Sequence, residues 1–261
     1  MKQLLFFSLA FFLITTEACT DSDSNKENDD FPGEGTNKRI SSIIEIESDG
    51  RIDTTFYRYN ESGKISEIRQ ESNDTHYKTT KTTFEYKKNE IYSEYWDYHT
   101  TIPDTVIYKL NKDGLIESMR YAYPQENRQT SFSTTYSYSE ERLQTINGNE
   151  VQWENGNIVK IAGNEYSYIY KYTTTSDLSG FLSGDWDELE DINLFMSGYF
   201  GKRNQHLVSE SSYRNIYERY EYTLDKDGYV TEIKEFTKFD ANDTYAFSQT
   251  TYIFYEQASK Q

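Results

Sequence analysis

YNESGKISEI, residues 59–68, joins an aromatic residue, a four-residue polar turn ending in glycine, and a short apolar hook. LNKDGLIESM (110–119) and LDKDGYVTEI (224–233) repeat the pattern, and WENGNIVKI (153–161) is a version one residue shorter. Asn or Asp opens such a turn, and Gly closes it because it takes positive φ without a steric penalty. A type I turn followed by a left-handed residue is the usual connection of an antiparallel hairpin. Ser48-Asp49-Gly50 reads as another turn, and Lys87-Lys88-Asn89 and Ser139-Glu140-Glu141 as turns without the glycine. Turn positions at 63, 89, 114 and 141 are 26, 25 and 27 residues apart, so one repeat is two strands with their connections.

After each glycine, apolar residues fall at the second and fifth positions: Ile65/Ile68, Ile116/Met119, Ile158/Ile161 and Val230/Ile233. A flat strand would put residues of one face at even spacing. A spacing of three predicts a bulge or a strong local twist beyond each turn, which would curl the sheet. Between turns the alternation is regular. Tyr166, Tyr168, Tyr170 and Tyr172 face Ser167, Ile169 and Lys171 across one strand, and Tyr220, Tyr222 and Leu224 face Arg219, Glu221 and Thr223 across another. One aromatic face and one polar face indicate half-buried antiparallel strands. The fold class expected is all-β: a hairpin-repeat meander curled into a closed or nearly closed barrel, with one short helical insertion. That insertion is residues 176–205, which do not alternate. Asp185 would cap a short helix running to about Met196, with Gly198 beyond its end. It is expected to plug or cover one end of the curled sheet.

The N-terminal MKQLLFFSLAFFLITTEACT has a charged start and an apolar run too short to cross a bilayer, the pattern of a secretory leader. Three regions are expected: a signal peptide over 1–18, a lipidated Cys19 with an acidic tether over 19–38, and one β domain over 39–257. Thr16-Glu17-Ala18-Cys19 is similar to a bacterial lipobox, although Glu17 departs from the usual small or apolar residue. Cys19 is the chain's single cysteine, so the exported domain would hold no disulfide and must rely on its core. Residues 20–37 carry six acids and one lysine and almost nothing apolar, as a flexible tether does.

The turn units resemble the YD-type repeats of bacterial secreted proteins. With TEAC, YNESGKISEI, LDKDGYVTEI and SGYFGKRNQHLVSE (197–210), most of residues 40–256 resembles a Bacteroidota family of lipoproteins of unknown function with a porin-like β fold. The resemblance implies an antiparallel barrel and brings no activity, ligand or catalytic residue. Acids just after the lipidated cysteine resemble the surface-export signals of such lipoproteins.

A net charge of −17 excludes nucleic acid as a natural partner, since phosphate backbones need a basic stripe. A membrane-spanning barrel would need an outward apolar band. The positions expected to face outward instead carry Arg58, Glu85, Lys171, Arg219 and Glu221. Contact with membrane is therefore expected through the lipid anchor alone, on the outer membrane, at the cell surface or the periplasmic face.

His76, His99 and His206 are not spaced as metal ligands, no GxSxG nucleophile elbow occurs, and Asp225-Lys226-Asp227-Gly228 reads as a turn rather than a calcium loop. No metal, cofactor or catalytic residue is assigned. In NEIYSEYWDYHTT (89–101), Tyr92, Trp96 and Tyr98 share one strand face and Ile91, Tyr95 and His99 the other. Flat rings stack on sugars or fill a protein interface, so Tyr92, Trp96 and Tyr98 are the candidate ligand-binding residues, with core packing as the plainer reading. The function expected is a non-enzymatic envelope module that binds glycan or protein. A structural envelope protein without a small ligand, and a glycoside hydrolase using clustered carboxylates, are the alternatives.

Overall fold

A computed structural model of the chain describes residues 38–74, 79–97, 101–122, 133–163, 166–180 and 192–258. The leader, Cys19 and nearly all of the tether lie outside these residues, as do His76, Tyr98 and His99. The strands are β1 (Lys38–Glu47), β2 (Ile52–Tyr59), β3 (Ile65–Ser72), β4 (Thr79–Tyr86), β5 (Glu90–Trp96), β6 (Asp104–Leu110), β7 (Ile116–Ala122) and β8 (Ser133–Ser139). They continue with β9 (Arg142–Ile146), β10 (Asn149–Glu154), β11 (Asn157–Ala162), β12 (Ser167–Ser176), β13 (His206–Tyr213), β14 (Ile216–Leu224), β15 (Val230–Lys238) and β16 (Ala246–Gln257). Each strand pairs antiparallel with its neighbours in sequence, and β16 pairs with β1, so the sixteen described strands form a closed barrel. One short helix, α1 (Ile192–Met196), interrupts the meander between β12 and β13.

The turns follow from side-chain chemistry. Asn60 Oδ1 accepts the amides of Ser62 and Lys64, both at 3.0 Å, and Gly63 takes φ +74°. Asn111 and Asp225 do the same at their turns, with distances of 2.8 to 3.0 Å. The Asx side chain thus fixes the loop, and glycine supplies the left-handed residue. The expected bulges are present. Tyr57 pairs with Ile68, Arg58 with Glu67 and Tyr59 with Ile65, so both hook residues face inward. Equivalent register shifts lie at Lys109/Leu110, Ser137/Tyr138, Gln152/Trp153 and Thr223/Leu224.

The end of the barrel that carries these turns is tied in a way the turns alone do not explain. They join β2 to β3, β4 to β5 and onward, leaving the alternate junctions without a covalent link. There, an inward aromatic from seven of the eight even-numbered strands donates a hydrogen bond to the carbonyl of an apolar residue on the preceding strand. Tyr59 reaches Ile40, Tyr86 reaches Ile65, Tyr138 reaches Ile116, Tyr172 reaches Ile158, Tyr222 reaches Val208 and Tyr255 reaches Val230, at 2.5 to 2.7 Å. Trp153 Nε1 makes the same bond to Leu143 at 2.8 Å. Only β6 lacks a donor there, because Leu110 occupies the position. Burial pushes the phenols of Tyr59, Tyr138, Tyr172 and Tyr255 well above their usual range, so they stay neutral donors. At the seam, where β16 meets β1 with no turn, Lys38 reaches past β16 to Asp225 and Asp227 at 2.7 and 2.6 Å.

The insertion closes this end. Leu194, Phe195 and Phe200 are buried in the core, with Phe200 edge-on to Tyr136 at 5.0 Å. α1 stops in a Schellman arrangement: Tyr199 N donates to Leu194 O, Gly198 N donates to Phe195 O, and Gly198 takes φ +82°. The segment is stitched to the turns by Ile116 N to Tyr199 O, Lys202 N to Glu141 O and Ile158 N to Asn204 Oδ1, at 2.7 to 2.9 Å. Within it Asp177 is half-buried and Arg203 buried, and burial lowers the Arg203 guanidinium to about 10. The helix expected from Asp185 is seen only from Ile192, and residues 181–191 lie outside the described set.

Two measurements check this end of the barrel. Tyr172→Phe should cost about 1 kcal/mol in urea unfolding, whereas Tyr252→Phe on the outer wall should stay within about 0.5 kcal/mol of the parent. Gly201 has φ +85°, and a Cβ there would lie 2.0 Å from the Glu141 carbonyl oxygen. Gly201→Ala should therefore destabilise the fold by at least about 1–2 kcal/mol, and unchanged stability would show that the insertion is not seated as described.

Candidate functional site

Alternation along the strands places every second side chain inside the barrel, and the character of these residues changes with height. At the plugged end and mid-height they are apolar or aromatic: Ile43, Tyr57, Ile68, Tyr108, Met119 and Tyr170 are all buried. Toward the other end they become polar. Inward-facing Gln70, Tyr95 and Asp104 are exposed there, so that end is a mouth opening to water. The barrel is thus a cup with an apolar floor and a polar rim.

One wall of the cup, formed by β1, β2, β14, β15 and β16, is acidic. Glu45 lies opposite Asp53 on one side and Thr251 on the other. Glu235 lies between Tyr220 and Gln249, and Glu218 between Ser211 and Thr237. Glu47 completes the group, and Arg51 is the cation beside it. Its Nη2 bonds Glu47 and its Nε stands 3.4 Å from Asp53. Five carboxylates against one guanidinium leave a surplus of four negative charges (5 − 1) when all are ionised.

Hydrogen bonds hold these acids in place without neutralising them. Glu218 Oε2 accepts from Ser211 Oγ at 2.5 Å and from the Tyr220 hydroxyl. Glu235 Oε1 accepts from Ser248 Oγ at 3.0 Å, and Glu45 Oε1 from Gln249 Nε2 at 3.2 Å. Burial pushes the Glu45 carboxyl up, the Asp53 charge adds to the rise, and the Gln249 bond opposes it. Burial likewise raises Glu235, and the Glu218 charge adds to the rise. Burial also raises the Tyr220 phenol, and Glu218 holds its proton further. Asp53 Oδ1 is buried without a hydrogen-bond partner. Such a wall accepts hydrogen bonds and favours positive charge.

No motif in the sequence points directly to this wall, but one signal does. In Ile43-Ile44-Glu45-Ile46-Glu47 the acids alternate with isoleucines. Over this part of β1 the acids face in and Ile44 and Ile46 face out.

The candidate ligand residues lie elsewhere. Ile91 and Ser93 of β5 face the core, so Tyr92 and Trp96 lie on the outer wall, on one face as expected. They are four residues apart, about 13 Å along a strand, with Glu94 between them. Lys87 Nζ sits 3.7 Å from the Tyr92 ring centroid, and the Tyr92 hydroxyl donates to Glu90 at 2.7 Å. Lys81 Nζ is 5.6 Å from the Trp96 centroid. A cation over a ring occupies the surface a sugar would stack on. Among the described residues, no three His, Cys, Asp or Glu side chains are grouped to hold a metal. The described histidine, His206, bonds Asn157 at 3.0 Å through Nδ1.

Glu45 gives a test of the crowded wall. Its folded pKa lies above the ordinary glutamate value of 4.5, so its contribution to stability is fully present below that value and is lost as pH rises through the folded pKa. Glu45→Gln should raise Tm at pH 7 and flatten the decline above pH 4.5. The gain should be about 2–4 °C for each kcal/mol of repulsion removed. Calorimetry showing a lower Tm at pH 7 would contradict the arrangement.

Comparison with known proteins matches this architecture. The chain resembles a porin-like protein from Bacteroides uniformis ATCC 8492, known from a crystal structure at 2.32 Å, with a TM-score of 0.65. The identity is 17%, and the match covers 83% of this chain and 96% of that one. No curated protein matches the sequence. Residues 56–232 match the family described as a domain of unknown function with porin-like fold, and the chain belongs to that family, DUF4595.

Proposed function

We propose that the protein is an outer-membrane lipoprotein whose barrel is a non-enzymatic binding module, taking a glycan or a protein segment at its mouth. The observation that carries this reading is the polarity gradient inside the barrel. A plugged, apolar floor stabilises the fold, while the inward residues near the rim present acceptors and two tyrosines, Tyr95, which is exposed, and Tyr121, which is partly buried against the core. Sugar hydroxyls and the amines of basic side chains are donors that match such a wall. Tyr92 and Trp96 add a second, outer platform for a protein partner.

The outer wall supports anchoring by lipid rather than by the barrel itself. Arg58 pairs with Glu67 across β2–β3, Lys109 with Glu117 across β6–β7, and Lys171 with Glu210 across β12–β13, at 2.5 to 3.2 Å. A basic side chain facing lipid costs about 2–4 kcal/mol at the bilayer midplane, so a wall laced with such pairs favours water. Acylation at Cys19 contributes about 0.8 kcal/mol per buried CH₂, and two or more chains anchor stably.

Two experiments test the reading. Cys19→Ser should release the protein from the membrane fraction, and protease shaving of intact cells should cut the domain if it faces outward. Retention after Cys19→Ser would rule out the anchor. A glycan array and a peptide array probed with the wild type should give signals that fall at least tenfold in an Asp53→Asn, Glu218→Gln variant. Uniform silence on both arrays favours a structural envelope role. Cleavage of a bound glycan that is lost with Glu218→Gln would make the protein a hydrolase instead.

A further inference from the structure

The alternation that puts Glu45 and Glu47 inside puts Ile44 and Ile46 outside, and the strands on either side of β1 continue the pattern. Tyr252 lies beside Ile44 and Phe254 beside Ser42 on β16, while Ile52 lies beside Ile46 and Phe56 beside Ser42 on β2. From the row of Ser42 to the row of Ile46, none of the outer positions on β16, β1 and β2 is charged. Phe254 is 48% exposed, Ile52 38% and Tyr252 37%. The bounding strands return at once to charge, with Glu67, Arg69 and Glu71 on β3 and Glu232 and Lys234 on β15. The closing seam of the barrel is therefore an apolar face in a chain of net charge −17. Most of it lies outside residues 56–232, so family membership does not imply it.

We propose that this seam face rests on the membrane surface, laying the barrel on its side with the mouth directed along the bilayer. The proposal rests on the lipid anchor described above. The size of the face argues against a second copy as its occupant. Three strands across and about five residues along give on the order of 300 Å², whereas a stable dimer needs roughly 800 Å² from each partner. Two bodies of charge −17 would also repel. A tethered contact needs far less. Eighteen residues separate Cys19 from Lys38 (20 to 37), which as a flexible chain span about 25 Å. The tether enters the barrel at the start of β1, the central strand of the face. A site held this close meets the bilayer at an effective concentration in the millimolar range, so a small apolar face is enough to set orientation. Uncharged headgroups suit it better than anionic ones because of the overall charge.

The test uses the full, lipidated protein in phosphatidylcholine vesicles. Thr54→Cys places a nitroxide in the middle row of the face, on β2 beside Ile44, and Thr135→Cys places one on the outer wall of β8 as a control. Flotation of the vesicles first establishes the anchor. The expected result is that the label at 54 becomes at least threefold more accessible to oxygen relative to a water-soluble nickel chelate, while the label at 135 does not change. Ile44→Ser with Phe254→Ser should abolish that gain without releasing the protein from vesicles. Flotation with a water-like label at 54 overturns this inference and leaves the anchor standing, whereas absence of flotation overturns both. A label at 54 that becomes buried without vesicles, together with a doubled mass, would make the face a dimer interface and also overturn it.

Discussion

The barrel depends on one interaction repeated around its plugged end: a buried phenol or indole donating to the carbonyl of an apolar residue on the adjacent strand. Hairpin turns, with the insertion between β12 and β13, secure seven of the sixteen strand junctions at that end, and these bonds secure seven others. Neither would suffice alone. A turn fixes its own two strands and says nothing of the next hairpin, whereas each tyrosine reaches across to the preceding one. The bulge beside the turn is part of the same device. It turns both hook residues inward and presents the carbonyl that the tyrosine needs.

Much of this was legible in the sequence because it is local. Asn60 to Gly63 declares its turn, the odd spacing of Ile65 and Ile68 declares its bulge, and the tyrosine alternation of β12 declares its inner face. Gly198 marked the end of α1. Closure was less legible. Ile43 meets Ile253 across the seam, and a pairing between residues so far apart in the chain leaves no local trace.

The acidic wall was hidden for a different reason. Abundant Asp and Glu make any pair unremarkable on paper, and Glu45, Asp53, Glu218 and Glu235 come together only because the ends of the chain meet. The inversion of polarity on β1 was visible, yet which face is inside depends on a register that the partner strands set. The same ambiguity governed β5. Its two aromatic faces were evident from alternation, but only the burial of Ile91 and Ser93 assigns Tyr92 and Trp96 to the outside.

Because turns and aromatic bonds alternate around the plugged end, the assembly counts in hairpins rather than in strands. Adding or removing one strand would leave a junction with neither kind of link, while adding or removing a pair would leave the pattern whole. The seam between β16 and β1 falls where a turn belongs, and Lys38 bridging to Asp225 and Asp227 stands in for it. Joining the two ends there with a short loop, and reopening the ring at another glycine turn, would yield circular permutants that keep every tie. The present termini are one cut among several that the architecture would accept.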